Sequence, residues 1–230
     1  MKNNIQFLKI LPPALWCLLL LTACATTERT SNRLSADAPA IIAAQPASAK
    51  KLVAVAGFEN RSTFMADKLW DTCSQLLSTR LIGMGYFRVV EWERMKQLFD
   101  WDALSTSSLV KMPEQRTQAR QILLCEYFLT GAITFFDVHQ TAEVSAFSRS
   151  KVLDTTVRVD LLLQDAMTGE YLAASTAEAM ETKEYKGGPM GGETGSWDSR
   201  SADRALDSAI QKALVTLVTQ YENQVAGGLK

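Results

Sequence analysis

From Tyr127 to Glu181 the chain reads as three strands in succession with no helix between them. Tyr127 to Val138 is the first. Thr155 to Gln164 is the second, with Val157, Val159, Leu161 and Leu163 on one face at the two-residue period of a strand. Asp165-Ala166-Met167-Thr168-Gly169-Glu170 makes a turn in which Gly169 can take positive φ, and Tyr171 to Glu181 returns as the third. The three are most simply antiparallel. A sheet of this kind has an apolar face that another layer must cover. The strongest helical periodicity in the chain supplies that layer: Ala202, Ala205, Leu206, Ala209, Ile210, Ala213, Leu214, Leu217 and Val218 form one continuous apolar stripe.

Upstream the pattern alternates. Lys51 to Phe58 is an apolar run bounded by Asn60-Arg61-Ser62 and reads as a buried strand. Leu69, Cys73, Leu76, Leu77 and Leu81 then share one helix face, with Ser62 or Thr63 able to cap the start and Gly83 and Gly85 the stop. Tyr86 to Val90 is a second strand, and Glu91 to Trp101 a helix burying Trp92, Met95, Leu98 and Phe99. A Ser/Thr-rich connector, Ser105 to Ser108, leads to a helix that starts at Pro113 and runs through Leu124. The predicted order is β-α-β-α-α-β-β-β-α. The fold class is α/β, more strictly α+β: a mixed β-sheet flanked by helices. His139 is expected at a hairpin tip, and Lys183 to Ser199, with Gly187-Gly188-Pro189 and Gly191-Gly192, in a loop or mobile hairpin.

The first residues carry an address. Lys2 and Lys9 precede the apolar run Ile10 to Leu21, and within Leu21-Thr22-Ala23 the small Thr22 and Ala23 stand beside a cut before Cys24. The run is shorter than the roughly 20 apolar residues that cross a bilayer and contains Pro12-Pro13, so a cleaved lipoprotein signal over 1–23 is expected rather than a retained helix. Cys24 is the expected lipidation site, and this covalent lipid is the one non-protein group expected; no cofactor is. Ala25 after the cysteine favours the outer membrane over the inner. Residues 24–50 lack an apolar face and read as the lipidated cysteine and a flexible tether, spanning about 28 Å as a coil and about 85 Å stretched. Residues 51–224 make one globular domain and 225–230 a disordered tail.

Of 24 basic residues, Lys2 and Lys9 leave with the signal, so 22 face 25 acidic ones and the mature net charge is −3. That near-neutral balance does not suggest nucleic acid, whose binders carry a basic stripe to neutralise phosphates. Cys73 and Cys125 are the thiols left to the domain; either they form one bridge in an oxidising compartment or they are two separate buried small hydrophobes, the reading favoured here.

Chemistry-bearing sets are scarce. The single histidine, His139, has no Cys or His cluster around it in sequence, so metal ligation is not expected, and a solvated loop residue is. Asp137, Asp154 and Asp160 would do glycosidase-type work only if two faced each other across a cleft, a reading set aside. The Gly187–Gly192 stretch lacks the Lys-Ser/Thr of a phosphate loop. Asn60, Arg61, Trp92, His139 and Gly191 remain as candidate contact residues, with a turn hydrogen bond the competing role for Arg61 and core packing for Trp92.

Four segments in this order resemble the CsgG family, the curli-secretion lipoproteins and their periplasmic relatives. They are Val53-Ala54-Val55-Ala56-Gly57-Phe58-Glu59-Asn60; Gly85-Tyr86-Phe87-Arg88-Val89-Val90-Glu91-Trp92-Glu93-Arg94; Cys125-Glu126-Tyr127-Phe128-Leu129-Thr130-Gly131-Ala132-Ile133; and Val157 to Leu161 with Asp165 to Glu170. The resemblance spans Lys51 to about Tyr221. It implies a mixed sheet flanked by helices and, in the best-known members, rings whose subunits each lend two spanning β-hairpins to a barrel. Here the corresponding windows, His139 to Lys151 and Lys183 to Ser199, look too short and too polar for lipid-facing strands of about 9–11 residues. The expectation is a pore-less member on the outer membrane, its domain facing the periplasm. It would touch envelope proteins, a second copy of itself being one candidate, and the membrane only through its lipid. Neither catalysis, nucleic acid nor a small-molecule substrate is expected. Two alternatives stay open: an oligomeric CsgG-type secretion channel, and an LpoB-like activator of a peptidoglycan synthase.

Overall fold

The computed structural model describes residues 27–31, 42–64, 69–90, 112–144, 149–187 and 196–227. The signal 1–23 with Leu21, Thr22 and Ala23, the lipidation site Cys24, the helix expected over Glu91 to Trp101 with Trp92, and Gly191 all lie outside the described residues. The elements are β1 (Thr27–Ser31), β2 (Leu52–Asn60), α1 (Leu69–Met84), β3 (Arg88–Val90), α2 (Pro113–Leu123), β4 (Tyr127–Val144), β5 (Arg149–Asp165), β6 (Tyr171–Gly187) and α3 (Ser199–Gly227). One mixed sheet has the order β1-β6-β5-β4-β2-β3.

β2 runs parallel to β3, with Val53 opposite Val89, and parallel to β4, with Val55 opposite Leu129. The remaining strands reverse. Asp154 meets Thr182 and Arg158 meets Glu178, so numbers rise along β5 as they fall along β6. Four residues separate β4 from β5, too few for a parallel crossover.

The chain divides into two compact units: Met1–Ser31 with Gln140–Leu153 and Lys183–Trp197, and Asn32–His139 with Asp154–Thr182 and Asp198–Lys230. In the larger unit all six residues Val53 to Phe58 are buried, which requires cover on both faces of β2. Ala54 and Ala56 pack with Ala119 and Leu123 of α2. The alternate residues Val53 and Val55 therefore face the opposite side. There Cys73, Leu77 and Leu81 of α1 are fully buried, and α1 touches both β2 and α3. Val157, Val159, Leu161 and Leu163 of β5 have no exposed surface, nor do Leu206, Ala209, Ile210, Ala213, Leu214, Leu217 and Val218 of α3. Ser175 Oγ on β6 donates to the Ala213 carbonyl at 2.8 Å and Arg80 on α1 pairs with Asp207 on α3, so a hydroxyl and an ion pair pin the layers that apolar burial assembles. Arg204 Nε donates to the buried Glu181 carboxylate at 2.6 Å in the same unit.

Several expectations need correction. Leu124 is not the last helical residue: it takes φ 53 and its N–H closes α2 on the Arg120 carbonyl. Ser62 does not cap α1, since its hydroxyl binds Asn60 and accepts the Phe64 N–H. Thr27–Ser31, expected in the tether, is a strand.

The largest difference is strand length. β4 runs six residues past Val138, β5 begins six before Thr155 and β6 ends six past Glu181. His139 thus lies within β4, exposed, rather than at a tip. In the smaller unit Gln140, Thr141, Ala142 and Glu143 are exposed on successive positions, so no apolar alternation marks the strand. Neighbouring strands satisfy its backbone instead, and sheet formation depends on that context more than on side-chain propensity. Lys183 and Tyr185 are buried in the same unit, and the Tyr185 hydroxyl donates to the Ser196 carbonyl at 3.3 Å.

Candidate functional site

The site is built around the end of β2. Between Val55 and Phe58 the register against β4 slips, and Gly57 absorbs the irregularity at φ 107, a conformation that favours glycine. The slip lays the buried Phe58 ring over Gly131, so closely that a Cβ on Gly131 would stand 2.3 Å from Phe58 Cε2.

The chain then turns. Asn60 Oδ1 accepts the Ser62 N–H at 3.0 Å and the Ser62 hydroxyl at 2.7 Å, while its Nδ2 donates to the Phe64 carbonyl at 2.7 Å. Asn60, a candidate contact residue, is spent on the turn. Asn60→Ala should therefore cost about 1–2 kcal/mol, read as a lowered midpoint in thermal unfolding. Arg61 leaves this turn with its N–H on the Ile133 carbonyl at 2.9 Å. Its guanidinium reaches back, Nε at 2.9 Å and Nη2 at 2.7 Å from Glu59 Oε2.

That pair borders a cleft of about 390 Å³ in the larger unit. Thr130, Asp160, Tyr171, Thr176 and Gln220 are among its other walls. Among the described residues that line it, Glu59 and Asp160 bring two carboxylates, and Arg61, already paired, the one cation. Asp160 Oδ1 is buried with no hydrogen-bond partner. This set can orient a partner's donors. The same lining residues include no histidine, cysteine or lysine to act as base or nucleophile. A second cleft, of about 470 Å³, is bordered by Arg120, Leu124, Cys125, Glu126 and Met167.

Of the sequence-predicted contact residues that the structure describes, Arg61 lines the first of these two clefts and Asn60 and His139 line neither. The three carboxylates weighed as an acid–base set have separate fates. Asp137 is exposed, Asp154 accepts the Thr182 hydroxyl at 2.6 Å, and Asp160 joins Glu59 in the cleft. Thr130, Tyr171, Thr176 and Gln220 carry little signal in the sequence, since each is an ordinary strand or helix residue. Among the described residues no group of three His, Cys, Asp or Glu is placed to hold a metal.

Cys73 and Cys125 are separate, buried and unpaired with each other, which decides the question left open above. Burial pushes both thiols up to about 12. Thiol reagents should leave Cys73 and Cys125 untouched in the native protein at pH 8 and label both in denaturant. The linkage has a definite sign: an unfolded thiol ionises near about 8.5, so these groups' contribution to stability is complete below that pH and is lost as pH rises toward 12.

The family described as curli production assembly/transport component CsgG matches residues 35–229. The chain belongs to the CsgG family. The match begins upstream of Lys51, taking in Ile42 to Lys50, where Gln45 N–H bonds the Gly85 carbonyl at 3.3 Å. No curated protein sequence matches the chain. Among solved structures it is similar to lipoprotein GNA1162 from Neisseria meningitidis, at 15% identity and TM-score 0.43, covering 77% of this chain and 99% of that one. The LpoB C-terminal domain from Salmonella enterica aligns at 14% identity and TM-score 0.40, over 59% of this chain and 87% of that one. The PelC dodecamer from Paraburkholderia phytofirmans aligns at 13% identity and TM-score 0.36, over 84% and 97%. Among the described residues no helix is long and apolar enough to cross a membrane, which leaves β-strand insertion untouched.

Proposed function

We propose that this chain is an outer-membrane lipoprotein, held by lipid on Cys24, whose CsgG-family domain faces the periplasm and acts by protein–protein contact in assembling or secreting surface structures. Family membership over 35–229 carries the reading. The chemistry of the cleft beside Glu59 and Arg61 supports it: two carboxylates and a guanidinium satisfied by one of them suit recognition better than bond cleavage. Purified mature protein should release no soluble fragments from peptidoglycan or envelope polysaccharide. An appreciable rate of release would overturn the reading.

One observation favours a second reading, the oligomeric channel. β4, β5 and β6 each run six residues past the strands expected from sequence, toward the roughly 9–11 that span a bilayer, so length argues less against insertion than the sequence alone does. Side-chain chemistry still does: His139, Gln140, Thr141 and Glu143 are exposed in series, without the apolar-out alternation of a barrel strand. Electron microscopy of detergent extracts separates the two readings. The contact reading expects no rings, and rings with a central pore would give the channel the lead.

A further inference from the structure

The cleft beside Glu59 and Arg61 reaches the outer side of β6, where Ala174, Ser175 and Thr176 form part of its wall. On that side β6 has β1 as its strand neighbour, five residues against its 17, and β1 groups with Lys183–Trp197 rather than with Tyr171–Thr182. Side chains of α3 stand where a strand would otherwise be. Gln220 Oε1 accepts the Ala174 N–H at a long 3.3 Å, and Lys212 Nζ donates to the Glu178 carbonyl at 3.3 Å. Outward backbone groups recur every second residue, so Thr176 lies in the same outward phase, between those two positions. Thr176 is exposed.

The cleft floor supplies a second, chemical demand. Asp160 Oδ1 has no donor, and a buried carboxylate oxygen without one is costly. Arg61 is committed to Glu59, so the cleft keeps one unneutralised carboxylate. An outward-phase position of β6, Thr176, lying between groups bonded only by side chains of α3, and a carboxylate oxygen without a donor thus border one cavity.

We propose that this cleft binds an extended, basic segment of a partner protein, which adds a strand beside β6 at Thr176 and places a lysine or arginine side chain on Asp160. The main chain of the segment provides affinity and its cation provides selection, as in other strand-addition interfaces. This deepens the contact function above and rests on it, but its test is made with purified protein and synthetic peptide, so it can fail while the contact reading survives.

The probe is a fluorescein-labelled peptide alternating Thr and Val around one central Lys, compared by anisotropy with its Glu counterpart. The Lys peptide should bind saturably to the mature chain, and the Glu peptide at least about tenfold more weakly. Asp160→Asn should erase that difference while the protein still melts cooperatively. Hydrogen exchange should show slower exchange across Tyr171–Met180 when the Lys peptide is present. Equal binding of the two peptides, or binding unchanged in Asp160→Asn, would overturn the assignment of Asp160. Binding of n-butylammonium as tight as that of the peptide, with no change in exchange along β6, would overturn strand addition and leave a small-cation site.

Discussion

Cys24→Ser is expected to move the protein from the membrane to the soluble periplasmic fraction almost completely. Each buried methylene of an acyl chain contributes about 0.8 kcal/mol, and one chain alone holds a protein only reversibly, so stable attachment requires the two or three chains that a lipoprotein cysteine carries. Serine offers no thiol to receive them. Since an unlipidated precursor can remain attached through its uncut signal, the same result should be obtained when a cleavable secretory signal is placed directly before Ala25. The strand Thr27–Ser31 shortens the link. Were Cys24 the lipid anchor, only Ala25 and Thr26 would lie between it and β1, a reach of roughly 11 Å. A protein that stayed with the outer membrane after loss of Cys24 would be holding on through its strands, and the channel reading would gain.

Gly131→Ala should destabilise the larger unit by about 3 kcal/mol, lowering its melting temperature by roughly 6–12 °C. The cause is local. The new Cβ would stand 2.3 Å from Phe58 Cε2, 2.5 Å from Cζ and 2.6 Å from Cδ2, and Phe58 is 2% exposed, so the ring has nowhere to retreat. β2, β4 and the cleft beside Glu59 must shift together. Phe58→Leu removes the ring atoms that clash. The double variant should therefore lose less than the sum of the two single losses. Strictly additive losses in calorimetry, or a neutral Gly131→Ala, would show that Phe58 and Gly131 do not share the packing described.

Burial on a single face made much of this legible from sequence. The valines and leucines of β5 and the stripe from Ala202 to Val218 each face a core, so their periods of two and 3.6 announced the sheet and the helix that covers it. The strand extensions gave no such signal, because Gln140 to Glu143 are exposed on both phases and their pairing is decided by neighbouring strands. β1 was hidden for the same reason: Thr27-Glu28-Arg29-Thr30-Ser31 has no apolar member. The site was harder still. Arg61 stood out at the end of an apolar run, yet its bond to Glu59 and the cleft with Asp160 depend on residues about 100 positions apart in the chain. Asn60 shows the converse, a polar residue whose conspicuous place has a local explanation in the bonds of its own turn.

Site-specific photo-crosslinking in living cells tests the contact function most directly. A photoreactive phenylalanine analogue would be introduced singly at Arg61, Tyr171 and Thr176 along the cleft, and at Ile82, exposed on α1, as a comparison. The account predicts a discrete adduct with one envelope protein from the cleft positions and none from Ile82. No adduct from any cleft position, in cells where the lipidated protein is present and folded, would contradict it.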